Sequence, residues 1–298
     1  MASMNTEAFK TCFIQWIHSL HVVLKDIVAI DGKTLRHSFD TAKEKTAIHM
    51  VSAFATEARL VLGQIKVLDK SNEITAIPML LDLLELTGAI ITIDAMGCQK
   101  DIAQKIIEKK ADYVLSLKGN HSTLHEDVKL FLETESLKQQ SNAINDTSES
   151  IDAGHGRIET RKCWVSDKLD WLEQKPEWSG LNAIAMIEEI REFGEKITKD
   201  RRFFLTSLPA DAKLISSAVR AHWGVENSLH WTLDMTFRED ESRIRSGNAA
   251  ENMAIVRHIS LNMLQNARKT EKDVSIRGLR KKAGWGNSTL DNIIRQNF

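Results

Sequence analysis

The first part of the chain alternates short hydrophobic runs with polar breaks. Residues 5–22 have apolar positions at a spacing near 3.6 and predict a helix. Three runs typical of β-strands follow, namely DIVAIDG, AIHMVSAFAT and RLVLGQIKVL. The segment SNEITAIPMLLDLLELTG predicts a second helix that ends at Gly88.

The next segments predict strand, helix and strand: AIITIDA, QKDIAQKIIEKK and DYVLSLK. Strands that alternate with helices indicate an α/β fold, with a sheet that is partly parallel and covered by helices. Residues 120–155 are polar, and KQQSNAINDTSES within them predicts a loop. Residues 157–210 predict a β-rich insertion, and residues 211–266 predict helices throughout.

Composition narrows the class of protein. The chain has 298 residues, a net charge of −1 and no stretch of apolar residues long enough to span a bilayer. Its three cysteines are scattered and never form a CxxC pair, which argues against a disulfide framework and a thiolate zinc site. The N-terminus lacks the pattern of a signal peptide. We therefore expect a cytoplasmic protein without membrane segments.

Positive charge is concentrated at the C-terminal end. From residue 267 onward, eight Lys or Arg residues oppose three acidic residues, a net charge of +5. Such a segment suits a phosphate backbone, although a solvated helix face would have the same composition.

Two predicted strands end their hydrophobic runs on a carboxylate, Asp31 and Asp94. Either residue alone could cap the turn that follows it. Two carboxylates at one edge of a sheet would repel each other, and a bound divalent cation would remove that conflict. Mg²⁺ prefers such oxygen ligands, so the pattern predicts a magnesium site.

A later predicted helix, SSAVRAHWGVENSLHWTLDMTF, carries a polar row beside an apolar one. The polar row at steps of four comprises His222, Glu226, His230 and Asp234, and the apolar row comprises Ala221, Val225, Leu229 and Leu233. The apolar row would pack on the sheet and bring the polar row to its edge. Alternatively, the polar row faces water and its members pair with one another. We expect at least one of the two flanking tryptophans to fill the core.

Several phrases, in this order, cover nearly the whole chain: VAIDGKTLRHS, SNEITAIP, TIDAMGCQKDIAQ, LKGNHSTL, GHGRIETR, HWGVENSLHWTLDMTFRED and RSGNAAENMAIVRHISLNML. With them the chain resembles the H-repeat-associated transposases linked to Rhs elements, a branch of the DDE insertion-sequence transposases. The resemblance implies an RNase H-like mixed sheet flanked by helices, with the β-rich insertion before the last catalytic helix.

The resemblance also implies the chemistry. The catalytic and metal-binding carboxylates would be Asp31, Asp94 and Glu226, which would hold two Mg²⁺ ions, with Mn²⁺ as a substitute. The reaction would be metal-dependent cleavage and strand transfer of DNA at the ends of an insertion element. The partners would be double-stranded DNA, as terminal repeats and target, and a second copy of the chain on that DNA. The location would be the bacterial cytoplasm, at the nucleoid.

Further side chains are candidates for DNA binding. Lys118 and Asn120 follow the strand DYVLSLK and could contact phosphate, or they could form an ordinary turn. The segment GHGRIETR contains His155, Arg157 and Arg161 at alternate positions. Because alternate positions of a strand share one face, these three side chains could bind DNA together. The remaining candidates are His222, Trp223 and His230. The tryptophans could stack on an unpaired base.

The chain departs from the broader superfamily pattern. A tyrosine and an arginine before the glutamate, and a lysine after it, are replaced here by Val219, His222 and Leu233. Relatives carry a longer region before the first catalytic strand, so we expect residues 1–26 to be a remnant of an N-terminal helical region associated with DNA binding. The catalytic core is expected over residues 27–120 and 211–266, the insertion over 121–210, and a basic segment over 267–298.

Two other functions are compatible with the residues. A transposase that has lost catalysis could still bind DNA through its basic C-terminal segment. An unrelated metal-dependent hydrolase could hold zinc with His222, Glu226 and His230, which share one predicted helix. Metal-dependent nicking of a plasmid and metal analysis of the purified protein would separate these possibilities.

Overall fold

A computed structural model describes residues 1–20, 26–39, 46–68, 72–138, 140–154 and 156–297. Its contacts divide the chain into two compact units. The first unit comprises residues 1–85 and 223–298, and the second comprises residues 86–222. The division into functional domains at residues 26, 120, 210 and 266 stays a prediction.

The first unit contains a three-stranded antiparallel sheet in the order β3-β2-β1. Its strands are β1 (Ile27–Thr34), β2 (His49–Ala55) and β3 (Leu60–Lys66). Its helices are α1 (Thr6–Ser19), α2 (Glu73–Leu83), α6 (Trp231–Phe237), α7 (Ala249–Arg268), α8 (Ile276–Trp285) and α9 (Asn287–Arg295). These strands confirm the sequence prediction to within two or three residues.

Helix α7 covers the edge of this sheet at β3. The Asn262 side chain donates a hydrogen bond to the Val61 carbonyl and accepts one from its backbone N–H, each at 2.8 Å. These two bonds satisfy backbone groups that an edge strand would otherwise leave unpaired.

The hydrophobic run of β1 is fully buried at Val28, Ala29 and Ile30.

The second unit contains a mixed sheet in the order β4-β5-β9-β8-β7-β6, in which only β4 and β5 are parallel. Its strands are β4 (Ile90–Ile93), β5 (Asp112–Leu117), β6 (Asp146–Gly154), β7 (Arg157–Ser166), β8 (Ala183–Phe193) and β9 (Lys196–Thr206). Its helices are α3 (Lys100–Glu108) and α4 (Ser122–Ser136), and most of α5 (Ala212–Gly224) belongs to it as well. The predicted α/β class, with a mixed sheet flanked by helices and a β-rich segment before α5, is confirmed.

The loop predicted for KQQSNAINDTSES is wrong at its C-terminal end, because strand β6 begins at Asp146. Helix α4 precedes this segment and was not predicted. The helix buries Leu124, Val128 and Leu132 at steps of four, a stripe too narrow to stand out among polar neighbours. The expectation of helix throughout residues 211–266 also fails between α6 and α7, where a left-handed residue, Arg238, ends α6.

Candidate active site

Asp31 lies at the point where β1 leaves the buried core. Its Oδ2 atom is 3.5 Å from Nδ1 of His230. Two residues on, Lys33 points to the same face of the strand and forms a salt bridge with Asp234. Asp234 follows His230 by one helical turn. Asp31 and Lys33, which are alternate residues of β1, therefore contact two consecutive turns of the helix. This register orients the Asp31 carboxylate.

Lys33 binds more than one carboxylate. Its ammonium lies 3.3 Å from Glu239 and 3.8 Å from Asp240, in addition to the contact with Asp234. Burial raises the pKa of Glu239, and the charges of Lys33 and Arg257 oppose that shift. Lys33 is not among the candidate residues predicted from the sequence. Lys33 lies two residues after Asp31 on the same strand, and alternate residues of a strand share one face. That spacing could have identified it as a neighbour of Asp31.

The helix that carries Glu226 is not a regular α-helix. Residues Val225–His230 form a π-helical segment between α5 and α6. The predicted apolar row is confirmed at Val225, Leu229 and Leu233, which are fully buried, whereas Ala221 is only half-buried. Glu226 is exposed at the start of the segment. Such π segments concentrate at functional sites because they shift side chains out of the regular helical order.

His230 is held neutral. Burial, and then the charge of Lys33, lowers its pKa from 6.5 to about 4. Its Nε2 atom is buried and has no hydrogen-bond partner among the described residues. Burial against Asp31 favours a positioning role for this residue over the predicted contact with DNA.

A side chain at position 32 would displace the ends of the Glu73 and His49 side chains. A Cβ atom there would lie 2.1 Å from Oε1 of Glu73 and 2.5 Å from Nε2 of His49. Those two atoms form a hydrogen bond 2.5 Å long across the exit of β1. The absence of a side chain at Gly32 thus leaves space for this hydrogen bond beside the backbone of β1.

In the second unit, Asp94 directly follows β4. Its Oδ1 atom accepts hydrogen bonds from the backbone N–H groups of Met96, at 3.0 Å, and Gly97, at 3.3 Å. The carboxylate therefore acts as the turn cap considered in the sequence analysis. It is half-buried.

His222 lies beside the same strand. Its Nδ1 atom is 3.0 Å from the hydroxyl of Thr92 on β4. Burial lowers the pKa of His222, and the Asp94 charge opposes that shift. His222 thus contacts the strand that leads to Asp94. Its contact with DNA stays a prediction.

Two residues after β5 hold the loop that follows Asp94. The Asn120 side-chain amide donates a hydrogen bond to the Ala95 carbonyl at 2.8 Å, and Nε2 of His121 lies 2.7 Å from the Cys98 carbonyl. Lys118 is exposed at the end of β5. The structure therefore gives Asn120 a local contact that the sequence analysis did not foresee, and His121 is a supporting residue that it missed.

The basic residues on β7 are already engaged by acids. Arg161 forms salt bridges with Asp152, Glu159 and Glu189, and Arg157 lies 2.6 Å from Glu159. Phosphate binding by either arginine would have to displace these partners. His155 lies outside the described residues.

Both tryptophans of the polar helix are exposed. Trp223 has 41% and Trp231 has 59% of its surface accessible, so the expectation that at least one fills the core is wrong. The buried row of Val225, Leu229 and Leu233 occupies the face that packs on the unit, and the tryptophans project from the other side.

The described residues contain no preformed group of three or more His, Cys, Asp or Glu side chains that could hold a metal ion. The donor chemistry of the predicted ligands nevertheless fits a hard cation. Asp31 and Asp94 are half-buried carboxylates at the ends of hydrophobic strands, and Glu226 is an accessible one. Oxygen donors of this kind are the ligands that Mg²⁺ prefers.

No helix among the described residues is long and apolar enough to cross a membrane.

Comparison with known proteins places these features in a family. The family model for the transposase DDE domain matches residues 24–263. The candidate transposase YncI of Escherichia coli O157:H7 is 42% identical over 99% of this chain and 75% of its own length. The H repeat-associated candidate transposase YhhI of Escherichia coli K12 is 43% identical over 89% of this chain and 71% of its own length. The resemblance to H-repeat-associated transposases is confirmed. The chain belongs to the transposase DDE domain family.

Proposed function

We propose that this chain cleaves DNA strands at the ends of an insertion element and transfers them to a target. Asp31, Asp94 and Glu226 are the proposed catalytic residues, and they would hold Mg²⁺, with Mn²⁺ as a substitute, as a two-ion site. The bound ions would supply Lewis-acid activation of the attacking and leaving oxygens. The proposal rests on membership of the DDE family.

The observation that carries the residue assignment is the place of Glu226. It lies four residues after His222, which contacts Thr92 on the strand that leads to Asp94. It lies four residues before His230, which contacts Asp31. Glu226 is itself an exposed carboxylate in the π segment, and it lies between these two histidines in the sequence.

The chain's own residues would orient these groups. Lys33 fixes β1 against α6, His230 supports Asp31 as a neutral imidazole, and Asn120 fixes the loop after Asp94. Fixing the carboxylates in advance lowers the reorganisation needed when a phosphodiester binds. The proposed partners are double-stranded DNA, both as element ends and as target, and a second copy of the chain on that DNA. The proposed location is the bacterial cytoplasm, at the nucleoid.

A plasmid assay tests the proposal. Supercoiled DNA that carries the element with its flanking sequence is incubated with the protein and Mg²⁺, and nicked circles are counted. We expect the parent to nick the plasmid, and Asp31→Asn, Asp94→Asn and Glu226→Gln each to abolish nicking while DNA binding is retained. Asp127→Asn is the matched control, because Asp127 is an exposed carboxylate on α4. A parent that binds DNA and leaves it intact would support the alternative of a transposase that has lost catalysis. Full nicking by one of the three variants would remove that residue from the site.

A further inference from the structure

The C-terminal helix α8 has one buried and one exposed face. Ile276 and Leu279 are buried, whereas Arg277, Lys281 and Trp285 are exposed. The exposed three follow at steps of four and therefore form one stripe along the helix. Trp285 has 81% of its surface accessible. Basic side chains bind the phosphates of a nucleic acid, and aromatic side chains stack on its bases, so a stripe that combines the two is suited to a nucleic acid.

The other two basic residues of α8 are occupied. Arg280 donates to the Thr236 carbonyl, and its guanidinium lies 5.4 Å from the centre of the Phe237 ring. Lys282 forms a salt bridge of 3.1 Å with Glu271. By contrast, no acidic side chain among the described residues forms an ion pair with Arg277 or Lys281. Their charges are therefore available to an external partner.

The anchor through Arg280 gives α8 a fixed place. Thr236 and Phe237 form the last turn of α6, the helix that continues from Glu226 through His230. About ten residues separate Glu226 from this turn, a distance of roughly 15 Å along a helix. That is a few nucleotides along a DNA strand, because successive base pairs are about 3.4 Å apart.

We propose that Arg277, Lys281 and Trp285 form a surface that binds the DNA backbone beside the candidate active site. The inference deepens the proposed function and rests on it for the identity of the polyanion. Charge complementarity selects DNA as the occupant, because the segment from residue 267 onward carries a net charge of +5 on a chain of net charge −1. Arg277 and Lys281 bind phosphates, and Trp285 stacks on a base or packs on a sugar.

The test measures DNA affinity without Mg²⁺, so that cleavage plays no part. Binding of the full chain to a labelled mixed-sequence duplex is measured by fluorescence anisotropy over a series of salt concentrations. Each phosphate contact contributes about 0.9 to the slope of log K against log salt concentration. We expect Arg277→Gln and Lys281→Gln each to reduce the magnitude of that slope by about one.

The matched control is Lys282→Gln, which removes the same charge from the same helix. Because Lys282 is held by Glu271, we expect its slope to equal that of the parent. Trp285→Ala should weaken binding by about tenfold with the slope unchanged, because it removes a contact and no charge. Circular dichroism at each salt concentration confirms that the variants are folded.

Parent-like slopes for both Arg277→Gln and Lys281→Gln would overturn the proposal, as would an equal change in Lys282→Gln. Parent-like affinity of Trp285→Ala would remove the tryptophan from the surface. Failure of this DNA-binding surface and failure of the proposed nuclease function would give different results. A chain without nuclease activity could still show the predicted slopes, and an active nuclease could bind DNA through another surface.

Discussion

Nδ1 of His230 lies 3.5 Å from Oδ2 of Asp31, and the other ring nitrogen of His230 is buried without a hydrogen-bond partner among the described residues. Burial lowers the pKa of this histidine to about 4, so the ring is neutral near pH 7 and carries one N–H group. With that proton on Nδ1, the ring directs it toward the carboxylate. This arrangement would orient the proposed metal ligand Asp31 without neutralising its charge.

We expect His230→Ala to weaken Mg²⁺ binding by about ten- to a hundredfold, the usual effect of removing a residue that orients a ligand. His230→Asn should retain most of the affinity, because its amide nitrogen can take the place of Nδ1. The Mg²⁺ concentration that gives half-maximal nicking, and calorimetric titration with Mg²⁺, measure the effect. Equal losses in both variants would contradict the positioning role.

Lys33 is the second support of β1. Lys33→Met would remove the cation shared by Asp234 and the buried Glu239, which keeps its contact with Arg257. Removing one partner of a buried ion pair costs about 3–5 kcal/mol in the free energy of unfolding, and we expect the lower end of that range because Arg257 remains. Arg36→Met is the control, because Arg36 also contacts Asp240 but has 76% of its side chain exposed. Its loss should cost less than about 1 kcal/mol. Urea unfolding compares the two, and similar values would show that Lys33 has no special role.

Asn120 separates two interpretations of the residues after β5. If it supports the loop through the Ala95 carbonyl, Asn120→Ala should slow nicking about tenfold or more and leave DNA affinity nearly unchanged. If it contacts phosphate, as the sequence suggested, affinity should fall with the rate. Lys118→Gln provides the comparison, because a lost phosphate contact should reduce the salt slope by about one. A slow rate together with a parent-like Kd would establish the supporting role.

The sequence allowed strands β1 to β5 to be placed because each is a compact hydrophobic run with polar ends, whereas β6 is polar and exposed and was missed. The buried row of Val225, Leu229 and Leu233 was also predictable, since its spacing needs no knowledge of the partners. The π segment was not predictable, because apolar positions at steps of four also fit a regular α-helix. The ion pairs of Lys33 depend on residues about two hundred positions away, and one sequence alone does not reveal that pairing.

Acid should weaken the first unit through His258 on α7. Burial lowers the pKa of His258 from 6.5 to about 3, and the charges of His230, Lys33 and Arg257 act in the same direction. The folded state therefore excludes a proton that the unfolded chain binds below pH 6.5. Stability from this neutral histidine is fully present above pH 6.5 and is lost as the pH falls toward 3. The loss is about 1.4 kcal/mol per pH unit for one such group.

Urea unfolding at pH 7, 6 and 5 measures this dependence. We expect the free energy of unfolding of the parent to fall over that range, and His258→Leu to reduce the fall by about the contribution of one histidine. His18→Leu is the matched control, because it makes the same replacement at a histidine that is exposed on α1. A residual slope should remain in His258→Leu, since burial also lowers the pKa of His230 and of His222. If His258→Leu had the same pH dependence as the parent, the folded chain would be accepting a proton at His258, and the burial of that ring would have to be reconsidered.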